Sequence, residues 1–243
     1  MPFTFSHPAL VIPLGYLPKK WISMTGLVIG SIAPDFEYFL RMRIQSNYSH
    51  TIAGLFLFDL PLGIFLAYMF HLVVRNTLCS NLPTFLQYRF AAFNQFDWHF
   101  HVKKHYLIIF ISMLVGAASH LFWDSFTHKD GYFVLAIPFL TDTVHCFNYS
   151  FPFYKIVQHS STFIGGLVIA GAIGTLPKMP DTLKSISATY WLSIAGFTLI
   201  IIFTRIAFSP VTLQIGHLLA TAIAALLIST TVVSFAKGKI IPN

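Results

Sequence analysis

Long apolar segments constrain this chain more than any other feature of its sequence. A helix that crosses the hydrocarbon core of a bilayer needs about 20 mostly apolar residues. Five windows meet or nearly meet that requirement, at residues 52–74, 106–123, 160–177, 187–208 and 211–236. A sixth window, 21–40, qualifies only if Asp35 lies near its far end. The sequence therefore predicts an all-α fold, a polytopic transmembrane helix bundle with about six spans.

The opening residues 3–17 are apolar but shorter than an ordinary span. They predict either a short tilted span or a re-entrant helix, forming a hairpin arm with Lys19 and Lys20 at its turn. The first 18 residues have no positively charged beginning and contain three prolines, so we expect no cleavable signal peptide. Cys79 and Cys146 fall on opposite sides of the predicted topology and are not expected to form a disulfide.

The composition supports a membrane protein and bears on its partners. Hydrophobic residue types make up 56% of the 243 residues and charged types 9%, whereas soluble domains carry roughly 25% charged residues. The 15 Lys and Arg against 8 Asp and Glu give a formal charge of +7. Because these basic residues fall between apolar segments, we expect them to contact anionic lipid head groups, and we do not expect nucleic-acid binding. The expected partners are membrane lipids.

The distribution of basic residues predicts the orientation of the chain, because cytoplasmic loops carry an excess of Lys and Arg. One side of the predicted topology collects ten of these residues. The other side collects five, which are Arg41, Arg43, Lys129, Lys155 and Arg205. We therefore expect the loops at 41–51 and 124–159 to lie on the extracytoplasmic side.

His and Asp residues are distributed unevenly along the chain. Nearly all of them precede residue 160, and the last third is hydrophobic helix. We interpret residues 1–243 as one integral membrane domain, in which 1–175 carries the metal chemistry and 176–243 is a helical scaffold. His217, with Gln214 close before it, is the exception in the scaffold, and we interpret it as an interhelical hydrogen-bonding residue.

The densest group of polar residues is the segment SHLFWDSFTH, at the end of an apolar window. In a helix, His120, Asp124 and His128 lie on one face, and Gly116 and Ser112 extend that face with small residues, so it is predicted to pack inward. Imidazole nitrogens together with a carboxylate are ligands that zinc accepts. The alternative interpretation is a hydrogen-bonded polar patch that holds helix ends together.

Four more residues are predicted to reach the same face of the membrane. Asp35 follows a proline that interrupts a helix, which leaves its carboxylate pointing at a site or makes it the N-cap of the next helix. His50 and His159 open apolar windows beside serines that act as caps, a role that does not explain the histidines. His7 returns to this face if residues 3–17 form a hairpin arm. The predicted ligands of one to three zinc ions are His7, Asp35, His50, His120, Asp124, His128 and His159.

Other patterns predict packing or weaker sites. Small residues below His159 form a predicted helix-packing face, at Thr162, Gly166, Ala170 and Gly174. Asp97, His99, His101 and His105 have metal-like spacing but are assigned to a solvated cytoplasmic loop. Asp59 lies inside a span, where it is a relay, a ligand-supporting group or a buried hydrogen-bonding residue.

The order of these residues resembles that of known families. A His, a Pro-Asp, a Ser-His-Thr and a His-x-x-x-Asp in succession resemble the bacterial membrane-bound metal-dependent hydrolases. The segments MPFTFSHP, GSIAPDFE and SHLFWDSFTH are similar to those of a family of bacterial multi-pass membrane proteins of unknown function, over about residues 1–175. The ligand order is also similar to that of zinc-dependent phospholipase C and the P1-type nucleases. Those enzymes place an acidic ligand where this chain has Phe163.

The similarity to phospholipase C and the P1-type nucleases implies a multi-zinc phosphodiesterase site. Because a lipid reaches a site at the membrane boundary by lateral diffusion, we expect a membrane-embedded, metal-dependent hydrolase of a lipid or lipid-linked phosphoester, at the outer face of a bacterial inner membrane. Asp35 and Asp124 are its expected catalytic residues. The candidates for binding the substrate phosphate are Arg41, Arg43, Lys129 and Lys155. Two alternatives stay open: an ion-coupled or proton-coupled transporter that uses Asp59, His71 and His217, and a non-catalytic scaffold with a structural metal.

Overall fold

Helices make up most of the structure, a computed structural model that describes residues 3–93, 96–147, 149–179, 184–208 and 214–238. In chain order they are α1 (Pro8–Val11), α2 (Met24–Ile32), α3 (Phe36–Arg41), α4 (Ile52–Asn81), α5 (Thr84–Phe90), α6 (Trp98–Asp124), α7 (Tyr132–Ala136), α8 (Phe153–Thr175), α9 (Ala188–Phe208) and α10 (Ile215–Gly238). Helices α4, α6, α8, α9 and α10 are long and apolar enough to cross a membrane. They confirm the five predicted windows, although residues 211–213 of the last window lie outside the described residues.

Shorter elements connect and interrupt these helices. Tight 3-10 turns occupy Thr4–Ser6, Ile12–Tyr16, Ala33–Asp35, Ala91–Phe93 and Pro138–Thr141, and α4 contains π-helical stretches at Leu55–Asp59 and Phe70–Val74. Strands β1 (Thr143–Cys146) and β2 (Tyr149–Pro152) form an antiparallel hairpin in which Thr143 pairs with Pro152. The fold is therefore mostly helical. The all-α prediction did not include the β-hairpin.

The two segments whose membrane role the sequence left open are built of short pieces. Residues 3–17 form brief helical turns, each of five residues or fewer. In the window 21–40, the nine-residue α2 is followed by a 3-10 turn and then by the six-residue α3. Pro34 lacks a backbone donor and lies in this turn, where the helix tightens. The sixth window thus contains two short helices, one before and one after Asp35.

The chain divides into two compact units. The first comprises Met1–Asp35, Tyr48–Gly63 and His105–Gly174, and the second comprises Phe36–Asn47, Ile64–Lys104 and Thr175–Asn243. Residues 36–47 and 64–104 group with the C-terminal helices in the second unit.

Polar contacts hold the second unit together. The amide of Ile44 donates to His217 Nδ1 at 3.1 Å, so His217 has the hydrogen-bonding role predicted for it, with a loop as its partner. Residues 98–104 begin α6 instead of forming a solvated loop, and helical geometry is broken at His105. Trp98 anchors this segment, since it is 2% exposed and stacks on His71 with ring centroids 4.4 Å apart.

Small residues bring α2 and α6 into close contact within the first unit. A Cβ atom on Gly30 would lie 2.2 Å from the backbone oxygen of Met113, and one on Gly116 would lie 2.3 Å from that of Leu27. Larger residues at these positions would force the two backbones apart. The inward-packing face predicted for α6 is therefore confirmed.

Replacing Gly116 with leucine should destabilise the first unit. The added side chain has no space beside a backbone oxygen, and overpacking of this kind costs about 1–3 kcal/mol. We expect the unfolding temperature in detergent to fall by roughly 2–10 °C. Gly171→Leu is the control, because a Cβ atom there meets nothing within 4 Å. Equal unfolding temperatures for the two variants would contradict a stabilising role for the close contact.

Candidate metal centre

Four side chains of the first unit converge on one point. One polar atom each of Asp35, His50, His120 and Asp124 lies within 4.8 Å of the other three. Their backbones belong to separate parts of the chain, namely the turn after α2, the loop before α4 and the C-terminal end of α6. Three distant segments therefore contribute two imidazoles and two carboxylates to one cluster.

The distances within the cluster are compatible with a site that could hold a metal ion. His120 Nε2 lies 3.5 Å from Asp35 Oδ1 and 3.3 Å from Asp124 Oδ2, and His50 Nε2 lies 3.6 and 3.7 Å from the same two oxygens. Charge-assisted hydrogen bonds of this type are shorter, about 2.7–2.9 Å. Ligands placed 2.0–2.2 Å from a tetrahedral zinc ion are about 3.3–3.6 Å from one another. The observed spacing fits ligands arranged around one ion.

Contact with α2 fixes the orientation of His120. Its Nδ1 lies 2.8 Å from the backbone oxygen of Ser31. Because a carbonyl can only accept, Nδ1 carries the hydrogen, and in the neutral ring Nε2 is an acceptor that faces the carboxylates. Histidines that bind metals usually donate their other ring N–H in this way. His120 is 0% exposed, and among the described residues its Nε2 has no hydrogen-bond partner.

Asp35 directs one oxygen into the cluster. Thr4 Oγ1 donates to Asp35 Oδ2 at 2.5 Å, which leaves Oδ1 facing His120 and His50. Within the described part of the chain, Oδ1 has no hydrogen-bond partner. The carboxylate therefore points at the cluster. This is one of the two predicted alternatives for Asp35, the other being an N-cap of the next helix.

His50 is positioned by the start of α4. Thr51 caps that helix by accepting a hydrogen bond from the amide of Gly54 at 2.8 Å. Ser49 Oγ lies 2.9 Å from His50 Nδ1, so Nε2 is the nitrogen that faces the carboxylates. Burial lowers the pKa of His50, but the nearby carboxylates of Asp124 and Asp35 outweigh this effect, and the net pKa is raised. The two carboxylates thus favour a positive charge at this point.

Asp124 uses both carboxylate oxygens. Oδ2 faces His50 and His120, and Oδ1 lies 3.5 Å from His7 Nε2. Asp124 is 5% exposed, and neither oxygen has a hydrogen-bond partner among the residues that the structure describes. Burying a carboxylate without donors is costly unless a cation compensates its charge. The Asp124 carboxylate therefore favours a positive charge in the cluster, which a protonated histidine or a bound cation can supply.

His7 packs against the cluster from outside the group of four residues. Its ring stacks on His120 with centroids 3.8 Å apart, and the edge of Trp123 lies against it. Burial lowers the pKa of His7 to about 3, with the neighbouring His120 adding to the effect, so the ring is neutral at physiological pH. The structure thus places His7 beside Asp124, within the predicted group of residues, and the predicted hairpin arm at residues 3–17 is not confirmed.

His128 lies at the open side of the cluster. Its Nδ1 lies 3.0 Å from the backbone oxygen of Asp124, to which it donates, and 3.5 Å from Oδ2 of the same residue. The side chains of His50 and His128 are 21% and 31% exposed, whereas those of Asp35 and His120 are 0% exposed. Solvent would therefore reach the cluster from the side of His50 and His128.

His159 is not among the residues that the structure brings together. The buried positions of α8 are Tyr154, Gln158, Ser161 and Gly165, and His159 is exposed. Successive residues of a helix point about 100° apart, so His159 shares an outward face with Phe163, which is 69% exposed. Phe163, which occupies the position of an acidic ligand in phospholipase C and the P1-type nucleases, thus lies on the surface.

The predicted small-residue face of α8 is also displaced. Ser6 Oγ donates to the backbone oxygen of Thr162 at 3.0 Å, and a Cβ atom on Gly165 would lie 2.9 Å from Ser6. Among the residues that the structure describes, a Cβ atom on Gly166 or Gly174 would meet nothing within 4 Å. Helix α8 therefore packs through Thr162 and Gly165, and the prediction for Gly166 and Gly174 is wrong.

The predicted phosphate-binding residues occupy different environments. Lys155 Nζ donates to Gln158 Oε1 at 2.9 Å, and Lys129 is exposed. Arg41 and Arg43 belong to the second unit, where Arg41 Nη2 lies 2.8 Å from Glu37 Oε1 and Arg43 is exposed. Of the four, Lys129 and Lys155 lie in the unit that contains the cluster.

Two residues that support the cluster were missed at the level of sequence. Thr4 bonds to Asp35, and its position three residues before His7 offered a weak signal. Ser31 holds His120 through its backbone carbonyl, which every residue type possesses, so no side-chain pattern could have identified it.

The conserved-domain comparison places the chain in a family. The sequence profile of a domain of unknown function, DUF4184, matches residues 1–235. The chain belongs to the DUF4184 family. Searches among curated proteins and among solved structures found no match. All four cluster residues fall within the DUF4184 match, which by itself shows no relation to hydrolases or to phospholipase C.

Proposed function

We propose that this DUF4184 protein binds a divalent metal ion, most readily zinc, between Asp35, His50, His120 and Asp124. The observation that carries the proposal is the buried carboxylate of Asp124. Four imidazoles lie 3.3–3.7 Å from its oxygens, and neither oxygen has a hydrogen-bond partner among the described residues. Two imidazoles and two carboxylates suit zinc, and this mixture of ligands also accepts manganese or iron. The hydrogen bond from His120 to Ser31 supplies the outer support that such sites require.

We further propose that the centre hydrolyses a phosphoester of a membrane lipid. When bound, a zinc ion supplies a Lewis acid and lowers the pKa of a coordinated water molecule to about 7. Asp35 and Asp124 hold the cation, and Thr4 and Ser31 fix the orientation of its ligands. His128 donates its Nδ1–H to the Asp124 carbonyl, so its Nε2, which is buried, is available in the neutral ring as a proton acceptor.

A lipid is the substrate class that the position of the cluster favours. Asp124 ends α6, and the N-terminal turns that carry His7 pack on α8. Both helices are long and apolar enough to span a membrane. A lipid head group can reach a site at the end of such helices by lateral diffusion. Lys129 is exposed one residue after His128 and is positioned to contact a phosphate.

A structural metal site is the second candidate. Four protein ligands complete a tetrahedral shell, which is typical of structural zinc, whereas catalytic zinc usually keeps one position for water. In that case the ion would stabilise the junction of α2, α4 and α6 without turnover.

An assay of the wild-type protein separates the two candidates. Protein purified without chelators would first be analysed for metal content. It would then be supplied with zinc or manganese and incubated with mixed micelles that contain lipid phosphomonoesters and phosphodiesters as substrates. We expect about one zinc per chain or more and release of a phosphate-containing product that EDTA abolishes. Bound zinc without turnover across the panel would support the structural site. Absence of binding under zinc saturation would exclude both.

The orientation of the chain is a separate prediction. We propose a bacterial inner membrane location with the cluster on the extracytoplasmic side, on the basis of the ten-to-five distribution of basic residues. In a variant with Cys79 and Cys146 replaced by serine, a cysteine at Tyr132 should react with an impermeant thiol reagent added outside cells. A cysteine at Phe93 should react only after permeabilisation. Both native side chains are exposed, at 73% and 43%, and the reverse pattern would refute the orientation.

A further inference from the structure

An apolar groove lies beside the cluster within the first unit, between α6 and α8. Its volume is about 500 Å³, within the range of roughly 300–1,000 Å³ that is typical of ligand pockets. Phe122, Trp123 and Phe126 line one wall, and Ile156 and Ile164 line the other. The mechanism proposed above makes no use of this groove.

The lining offers an occupant few polar contacts. Ser160 and Ser161 are among the lining residues, and the hydroxyl of Ser161 donates to the backbone oxygen of Val157. Ser160 is exposed. No charged side chain lines the groove within the part of the chain that the structure describes. An occupant must therefore be hydrocarbon over most of its length, because buried polar groups would lack partners.

The groove adjoins the cluster across one layer of side chains. Trp123 directly precedes Asp124, and its ring lies against His7 with centroids 5.9 Å apart. Leu10 also lines the groove, and its amide donates to the backbone oxygen of His7 at 3.1 Å. His7 Nε2 in turn lies 3.5 Å from Asp124 Oδ1. A molecule in the groove would thus have one end separated from Asp124 by the layer of Trp123 and His7.

The surroundings of the groove identify the available hydrocarbon. Its walls belong to two helices that are long and apolar enough to cross a membrane. Phe122 and Ile164 are 55% and 57% exposed and form part of its rim. In a bilayer, the material in contact with such helices is lipid acyl chain.

We propose that the groove binds one acyl chain of a phospholipid whose phosphate group lies at the metal centre. This inference rests on the proposed lipid hydrolysis and deepens it, because it restricts the substrate to lipids that carry a long alkyl chain next to the phosphate. The chain would lie between α6 and α8, and the head group would lie on the side of His50 and His128.

Photo-crosslinking tests the groove without requiring turnover. Zinc-loaded protein would be placed in phosphatidylcholine vesicles that contain phosphatidic acid with a diazirine in one acyl chain, and labelled peptides would be mapped by mass spectrometry. Labelling should concentrate at residues 122–126 and 156–164. Ser160→Trp should reduce it about tenfold, equivalent to 1.4 kcal/mol of binding, because an indole would fill the groove. Gly166→Trp should not, since a side chain there meets open space on the same helix.

The controls separate this inference from the proposed function. A diacylglycerol with the same diazirine chain lacks the phosphate and should label the groove less than phosphatidic acid, and EDTA should remove that difference. Equal labelling of Ser160→Trp and Gly166→Trp, at equal unfolding temperatures, would overturn the groove as a binding site. If labelling depended neither on the phosphate of the lipid nor on the metal, the proposed link between the groove and the cluster would be overturned. Phosphate-dependent and metal-dependent labelling without hydrolysis would leave the groove standing and refute the hydrolase.

Discussion

The Asp124→Asn variant should lose the metal ion that the wild-type protein retains. Asparagine keeps the size of the side chain but removes the charge that faces His7, His50 and His120. Four-ligand zinc sites bind with about 10–16 kcal/mol, so the loss of one ligand costs roughly 3 kcal/mol or more, which is about 100-fold in Kd. Dialysis against a graded series of zinc chelators, followed by elemental analysis, would measure the difference.

Matched variants test whether this effect belongs to the cluster. His120→Ala should reduce zinc retention as strongly as Asp124→Asn, whereas His159→Ala should leave it unchanged, because His159 is exposed on the outward face of α8. Asp142→Asn removes an exposed carboxylate and should also have no effect. If His159→Ala weakened binding as much as His120→Ala, the ligand set seen in the structure would be incorrect.

Hydrolysis of a lipid phosphoester should depend on the two carboxylates. Asp35→Asn and Asp124→Asn should each lower kcat/KM by about 100-fold or more at limiting zinc, in proportion to the lost metal affinity. The measurement is product release from mixed micelles at several zinc concentrations. Partial rescue of kcat/KM by high zinc would show that the variants act through metal occupancy and not through misfolding.

Histidines of the second unit provide the control for location. His99 lies in the second unit, where its Nδ1 is 3.5 Å from Tyr68 Oη. By sequence spacing alone it is as plausible a ligand as His128. His99→Gln should therefore leave hydrolysis close to the wild-type level. Equal losses in His99→Gln and Asp124→Asn would remove the special status of the cluster.

Sequence spacing was sufficient to predict that two residues of the cluster lie together where both belong to one helix. His120 and Asp124 are four residues apart, so α-helical geometry alone places them on one face, and Ser112 and Gly116 mark that face as the packed one. The five long apolar helices followed in the same way from segment length. These features depend on local periodicity, which a sequence displays directly.

Contacts between distant segments could not be predicted in the same way. Both His7 and His159 were predicted ligands, His7 on the condition that residues 3–17 form a hairpin arm and His159 because it opens an apolar window. The close approach of Gly165 to Ser6 turns the Gln158 face of α8 inward, and a rotation of about 100° per residue then carries His159 outward. The sequence alone determined a membrane-spanning helical protein with a His-x-x-x-Asp pair at a helix end. Only the tertiary structure decided which other side chains join that pair, because helix rotation and backbone contacts such as that of Ser31 depend on packing and leave no pattern in side-chain type.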